Sequence, residues 1–237
     1  MRVYVVSDAH LTGPGDPAQA DFVRFVDNAD CERIVLAGDV FDAWWGWPTV
    51  QTIYAEVVEA LARAHRRGVA LTLLPGNHDF AVGPVLGRWV EEQSEWSCHA
   101  AGRRWLVVHG DEPDQTMGYR LTRRVVRGRP FAAVMRGLGP RRGDALLNRL
   151  AGNSRAHMHA AAPLVDAQRR WAEQRLSMGH DAVCMGHSHA LGVSRTAAGD
   201  VVHLGDWAEQ RCWLTLEEST ATLRSGWGTH PKTVFSW

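Results

Sequence analysis

Apolar runs that stop abruptly at polar residues punctuate this chain. VYVVS (3–7) ends at Asp8, RIVLAGD (33–39) ends in Gly38 and Asp39, and VALTLLPGNHD (69–79) ends in Gly76, Asn77, His78 and Asp79. Two helical patterns lie between them. Phe22, Val23, Phe25 and Val26 fall at helical spacing over 18–29, and Ile53, Val57, Val58, Leu61 and Ala64 do so over 50–67, with Gly68 as a stop. GPGDP (13–17) reads as a loop. Strand, loop and helix in this order predict a parallel sheet with helices packed outside it.

The second half is less regular. A short helix is expected over 82–93, and RWLVVH (104–109) is a strand ending at His109. Residues 119–175 are rich in Arg and Ala and lack a convincing strand; two to four helices are expected, broken near Gly128–Pro130, Gly137–Pro140 and Gly152–Asn153. AVCMGHSH (182–189) returns to the strand-then-polar pattern. VVHLGDW (201–207), CWLTLEE (212–218) and ATLRSG (221–226) alternate, which predicts antiparallel strands closing a second sheet. The 237 residues suffice for a single domain, 1–237, with 119–175 as a helical insertion within it.

Composition narrows the classes. Twenty-six basic residues balance 26 acidic ones, so bulk charge predicts no nucleic-acid partner. Cys31, Cys98, Cys184 and Cys212 are far apart and form no CxxC pair, which fits scattered core residues in a reducing compartment. MRVYVVSDAH is too short and polar a start for a signal peptide, and no apolar stretch reaches membrane-spanning length; a cytoplasmic location is expected. Tryptophan is in excess at 11, three of them in DAWWGWP as Trp44, Trp45 and Trp47. That cluster has two readings: core packing, or an amphipathic surface for an acyl chain or membrane interface.

Five polar clusters follow apolar runs: Asp8-Ala9-His10, Gly38-Asp39, Gly76-Asn77-His78-Asp79, His109-Gly110-Asp111 and Gly186-His187-Ser188-His189. In open α/β sheets ligands bind at the carboxyl ends of strands, so five such ends direct Asp, His and Asn side chains to one crevice. These groups suit divalent ions such as Mn, Fe and Zn. The succession DxH, GD, GNHD, HGD, GHxH resembles the calcineurin-like metallophosphoesterase superfamily, from residue 3 to about 207. The resemblance implies a two-layer β-sandwich flanked by helices (αββα) around two divalent metal ions. Asp8, His10 and His189 would hold one ion, and Asn77, His109 and His187 the other, with Asp39 bridging them. His78 would face the phosphate, either stabilising the developing charge or protonating the leaving oxygen. Asp79 would orient His78 or serve the loop structurally, and Asp111 would stand just behind the metal ligands or simply shape a turn.

LAGDVFDAWWGWP (36–48), GNHDFAVG (76–83), HGDEPDQTMGYRLTRR (109–124), GNSR (152–155) and LGDW (204–207) resemble elements of the UDP-2,3-diacylglucosamine diphosphatase family. Membership implies hydrolysis of that lipid-linked nucleotide sugar to UMP and 2,3-diacylglucosamine 1-phosphate in lipid A synthesis. It also implies Mn dependence and peripheral attachment to the cytoplasmic face of the inner membrane, with no obligate protein partner. The insertion at 119–175 would cap the site. Trp44 and Trp45 would line the acyl wall, and Arg123, Arg124 and Arg155 would meet the charged end of the substrate; the other reading of these arginines is a solvated surface. The chain departs from the family in three places. It has His78 where close members carry Arg. Gln115, Thr116 and Met117 replace an acidic pair before the Gly-Tyr. Ala156, His157, Met158 and His159 replace a lysine-rich portion of the insertion. The other functions open to these residues are a different dinuclear-metal phosphodiesterase or phosphatase, and a non-catalytic scaffold on the same fold.

Overall fold

The computed structural model describes residues 1–48, 52–79, 82–114, 162–228 and 231–237, with a subset of positions between 125 and 146. The first half runs β1 (Arg2–Val6), α1 (Pro17–Asp27), β2 (Arg33–Leu36), α2 (Ala55–Arg66), β3 (Ala70–Leu73), α3 (Gly83–Leu86) and β4 (Val90–Glu92). β5 (Trp96–Ala100) and β6 (Arg103–Val108) follow. Further along the chain come α4 (Ala162–Ser177), β7 (Ala182–Met185), β8 (Leu191–Arg195), β9 (Asp200–Leu204), β10 (Trp213–Glu217), β11 (Ala221–Ser225) and β12 (Lys232–Ser236).

The strands form two sheets, ordered β12-β11-β10-β1-β2-β3-β4 and β5-β6-β7-β9-β8. β1, β2, β3 and β4 are parallel, as the βαβ pattern requires, and β6, β7 and β9 are parallel in the second sheet. Alternate side chains divide the strands between layers. Val3, Val5, Val35, Val107, Cys184, Val202, Leu214 and Leu216 meet between the sheets. Val6, Ile34, Leu36 and Leu71 point the other way, onto Phe22, Phe25, Val57 and Leu61 of α1 and α2. Leu106, Val108, Val183, Met185 and Val201 pack on Ala172 and Leu176 of α4. The result is helix, sheet, sheet, helix. Strands buried on both faces read as continuous apolar runs, which explains VYVV, RIVL and AVCM.

Local chemistry sets the helix starts and contacts. Asp16 accepts a hydrogen bond from the Ala18 N–H at 2.8 Å and Pro17 opens α1, so GPGDP is a loop that ends in a cap. Arg63 of α2 grips Asp27 of α1 through two hydrogen bonds, 3.0 and 2.8 Å.

Several expectations are revised. The runs at 212–218 and 221–226 do not close a second sheet: β10 and β11 extend the first sheet antiparallel to β1. The run at 201–207 contains β9, which does lie in the second sheet, antiparallel to β8 as expected and parallel to β7. The helix expected over 82–93 is four residues long and gives way to β4, because Val90 packs into the core beside Leu71 and Leu73. Residues 162–175, expected within the insertion, form the body of α4 and cover the second sheet. β5, β8 and β12 had no expectation; they are short, with few buried residues. The described positions between 125 and 146 are all helical.

Four tryptophan and phenylalanine rings close one end of the first sheet. Phe25 lies 4.9 Å from Trp207, 5.8 Å from Trp213 and 5.3 Å from Trp227, centroid to centroid. Phe25→Ala is expected to lower stability by about 3–5 kcal/mol, read as a fall in the urea midpoint with an unchanged slope. A loss under about 1 kcal/mol would show the cluster to be dispensable packing.

Candidate metal centre

The polar clusters lie where three parallel strands of one sheet and two of the other end. Asp8 and His10 follow β1, Asp39 follows β2, Asn77 and His78 follow β3, His109 follows β6, and His187 and His189 follow β7. The loops after β1 and β2 stay in register: Asp8 N–H donates to the Gly38 carbonyl (3.0 Å), His10 N–H to Asp39 (2.9 Å) and Leu11 N–H to Val40 (3.0 Å).

The backbone is strained where the chemistry is. Seven non-glycine residues among those described have positive φ, and five are Asp8 (52°), His10 (41°), Asp39 (52°), His187 (65°) and His189 (54°). Such conformations cost free energy and persist only when the surroundings over-determine them, which marks a functional site. The glycine in GD and GH has a steric reason. A Cβ on Gly38 would come within 2.3 Å of His109 Nδ1, and one on Gly186 within 2.2 Å of Asp8 Oδ2. Each glycine admits a predicted ligand from another strand.

The side chains converge. Donor atoms of Asp8, His10 and His189 lie within 4.8 Å of one another, as do those of Asp39, His109 and His187, and of His10, Asp39 and His78. His10 Nε2 is 3.2 Å from His189 Nε2, a contact at which two imidazoles point at one spot. Asn77 Oδ1 lies 3.4 Å from His109 Nε2. Asp39 divides its oxygens. Oδ1 accepts the His78 N–H at 2.8 Å, while Oδ2 has no hydrogen bond and sits 3.9 Å from His10 Nε2 and 3.6 Å from His109 Nε2. One buried carboxylate oxygen thus stands between the two groups of ligands. His109 Nδ1 donates to the Ala37 carbonyl at 2.9 Å, which aims Nε2 at the cluster. A buried, unsatisfied carboxylate oxygen ringed by imidazoles, with mixed oxygen and nitrogen donors, fits a pair of divalent ions.

The electrostatics carry the same signature. Burial works against the charge on Asp8 and Asp39, yet the surrounding histidines hold both below the usual carboxylate range. Burial also lowers His109, but Asp39 and Asp8 outweigh it and raise it to about 9. His189 is raised by Asp8 against its own burial, whereas burial dominates at His10 and lowers it to about 3.

Other expected site residues fall out differently. Asp79 does not orient His78. Its carboxylate accepts the Val40 N–H (3.0 Å) and Phe41 N–H (3.3 Å), and burial together with Asp39 raises it to about 7. The His78 ring is held instead by the Asp42 carbonyl, which accepts from Nδ1 at 2.6 Å. Trp44 does not line a substrate wall: it is buried, stacked on Phe41 at 4.7 Å, and donates Nε1–H to the Val82 carbonyl. Trp45 is half-buried, 5.6 Å from Phe131. Asp111 is buried and adds to the field on His109. Arg123, Arg124 and Arg155 lie outside the described residues.

Two parts of the site were not expected. Asp114 Oδ2 lies 3.4 Å from His187 Nε2; it falls within the 109–124 stretch but was given no role there. Asp206 of the LGDW run accepts the Glu209 N–H at 2.6 Å and the Gln210 side-chain N–H at 2.6 Å, and Gln210 also donates to the His189 carbonyl. Trp207 N–H donates to the Ser7 and Asp8 carbonyls, so this run braces two ligand loops from behind.

A two-sheet sandwich with a histidine and carboxylate cluster at its strand ends defines a metal-dependent phosphoester hydrolase. Residues 1–191 match the calcineurin-like phosphoesterase family model, and the chain belongs to that family. It is 26% identical to the UDP-2,3-diacylglucosamine hydrolase of Aeromonas hydrophila, over 89% of this chain and 92% of that one. It is 28% identical to the enzyme of the same name from Pseudomonas paraeruginosa, covering 92% and 95%. Zinc-complexed Vps29 from Entamoeba histolytica is similar in structure, with TM-score 0.48, 13% identity and coverage of 98% and 97%.

The raised histidines predict a pH dependence. Metal ligation needs the neutral imidazole, so binding must release protons. Affinity for Mn²⁺ is expected to fall as pH drops below about 9, through the His109 titration. The metal-free fold behaves oppositely. A raised histidine stabilises it below the ordinary value of about 6.5, and that stabilisation is lost as pH rises through about 9. Calorimetric titration in buffers of different ionisation enthalpy checks the first claim; a pH-independent affinity without proton release would refute it.

Proposed function

We propose that this protein hydrolyses the pyrophosphate of UDP-2,3-diacylglucosamine, giving UMP and 2,3-diacylglucosamine 1-phosphate. In this reading Asp8, His10 and His189 hold one divalent ion, Asn77, His109 and His187 a second, and Asp39 bridges them. The ions are Mn by family likeness, with Fe or Zn compatible with the same donors. When bound, the pair supplies Lewis-acid polarisation of phosphate oxygens and a lowered pKa for the attacking water.

The protein residues do the rest. His78 presents Nε2 at the cluster because its Nδ1–H is committed to the Asp42 carbonyl. From there it can donate to a phosphate oxygen as charge develops, or protonate the leaving oxygen. The observation that carries the substrate reading is the apolar wall beside it. Ala43, next to Asp42, clusters with Trp47 and Met135, and with half-buried Trp45, Phe131 and Leu146. Aromatic and aliphatic side chains of the insertion thus meet the tryptophan loop within one residue of the backbone that holds His78. An acyl chain laid on such a wall gains about 0.8 kcal/mol per buried CH₂. Near full-length likeness to UDP-2,3-diacylglucosamine hydrolases supports the same substrate. Attachment to the cytoplasmic face of the inner membrane would follow from that substrate; no helix among the described residues is long and apolar enough to cross a membrane.

Two measurements test this. Hydrolysis of the diacylated UDP-sugar, its unacylated parent, a cyclic nucleotide and an aryl phosphodiester is compared with Mn²⁺ in detergent. The acylated compound is expected to lead by orders of magnitude in kcat/KM, and a lead of only a few-fold would leave a general phosphodiesterase. Separately, His78→Ala should keep both ions and lose about 10²-fold in turnover. Recovery of much of that rate by His78→Arg would make charge stabilisation the main role, since Arg cannot act as an acid at neutral pH. Unchanged turnover in the alanine variant would assign His78 to structure.

A further inference from the structure

Helix α4 sends one polar side chain into the interior. Gln168 is fully buried, one and two turns before the apolar Ala172 and Leu176. Its Nε2 donates two hydrogen bonds, to the Gly110 carbonyl at 2.9 Å and the Gly186 carbonyl at 2.9 Å. Gly110 follows His109, and Gly186 precedes His187. The same two loops are joined directly, since the Gly186 N–H donates to the His109 carbonyl at 2.9 Å. One amide nitrogen therefore spans the backbones that carry both histidines of the second group of ligands.

The orientation of this amide is forced. Turned over, it would set Oε1 against two carbonyl oxygens that can only accept. As it stands, Oε1 is buried without a hydrogen bond. An unsatisfied buried acceptor is unfavourable, and Met or Leu would fill similar space without one. Packing alone does not account for a glutamine here; the two donated bonds do. The far end of the β7 loop is braced differently: Gln210, held by Asp206, donates to the His189 carbonyl.

We infer that Gln168 is a positioning residue for the second ion, fixing the separation of His109 and His187 without touching ion or substrate. This rests on the two-ion reading above. The test titrates Mn²⁺ into metal-free wild type, Gln168→Met and Gln168→Leu, reading stoichiometry and affinity by calorimetry and the coupled-pair signal by low-temperature electron paramagnetic resonance. Wild type should bind two ions; fewer would overturn the two-ion reading and this inference with it, whereas the variants test the inference alone. Both variants should bind one ion with wild-type affinity and the second roughly 10–100-fold more weakly, the scale for losing a group that orients a metal ligand. The coupled-pair signal should then appear only at correspondingly higher Mn²⁺. Two ions bound as tightly as in wild type would overturn the inference. So would equal weakening of both ions with a lower thermal midpoint, the mark of a general packing role. If Gln168→Met does not fold, Gln168→Leu alone decides between these outcomes.

Discussion

The Asp39 carboxylate is the constraint around which the rest of the site is arranged. It is buried, where an isolated charge is strongly disfavoured. His109, His78 and His10 surround it and hold it ionised against burial. One oxygen is tied to the His78 backbone and the other faces the imidazoles. Asp79, one residue beyond His78, fastens the loop after Asp39 through Val40 and Phe41. Taking away the central carboxylate would leave the buried histidines with Asp8 as the main remaining negative neighbour and the β2 and β3 loops without a common anchor.

That arrangement explains why so little of the site is adjustable. Five predicted ligand positions sit at positive φ, and Gly38 and Gly186 before two of them leave no room for a methyl group, which would strike His109 or Asp8 from the other sheet. The two sheets contribute unequal halves. Loops after β1, β2 and β3 bring both carboxylates, His10, Asn77 and His78, while loops after β6 and β7 bring the remaining three histidines. Packing between the sheets is therefore a direct determinant of how the two halves of the cluster meet, and a cavity between them would be felt there.

Chemistry and substrate choice are divided spatially. The ligand cluster can serve many phosphoesters, so selectivity must come from walls outside it. In the proposed reading the cluster of Trp45 and Trp47 with Phe131, Met135 and Leu146 would be such a wall, joined to the histidine cluster by the short span from Ala43 to Asp42. Trp44 belongs to the opposite face of the same loop and holds it to the core through Phe41, Tyr54 and Val82. Three neighbouring tryptophans thus divide between two clusters: Trp44 packs into the core beneath the first sheet, and Trp45 and Trp47 pack against Phe131 and Met135.

The sequence by itself determined the strand ends and the ligand types. A buried parallel strand must be apolar, and its polar residues can only gather where it emerges, so Asp8, Asp39, Asn77, His109, His187 and His189 are visible as interruptions of apolar runs. It could not place β10 and β11, because alternation reports a half-covered strand but not which sheet covers it; pairing with β1 decides that. Nor could it assign the partner of His78. An imidazole beside a carboxylate in sequence suggests a pair, but Asp79 turns to the β2 loop and a backbone carbonyl takes its place. Gln168 was silent for the same reason. Its meaning lies in two carbonyls 58 and 18 residues away, and only tertiary packing brings α4 against both ligand loops.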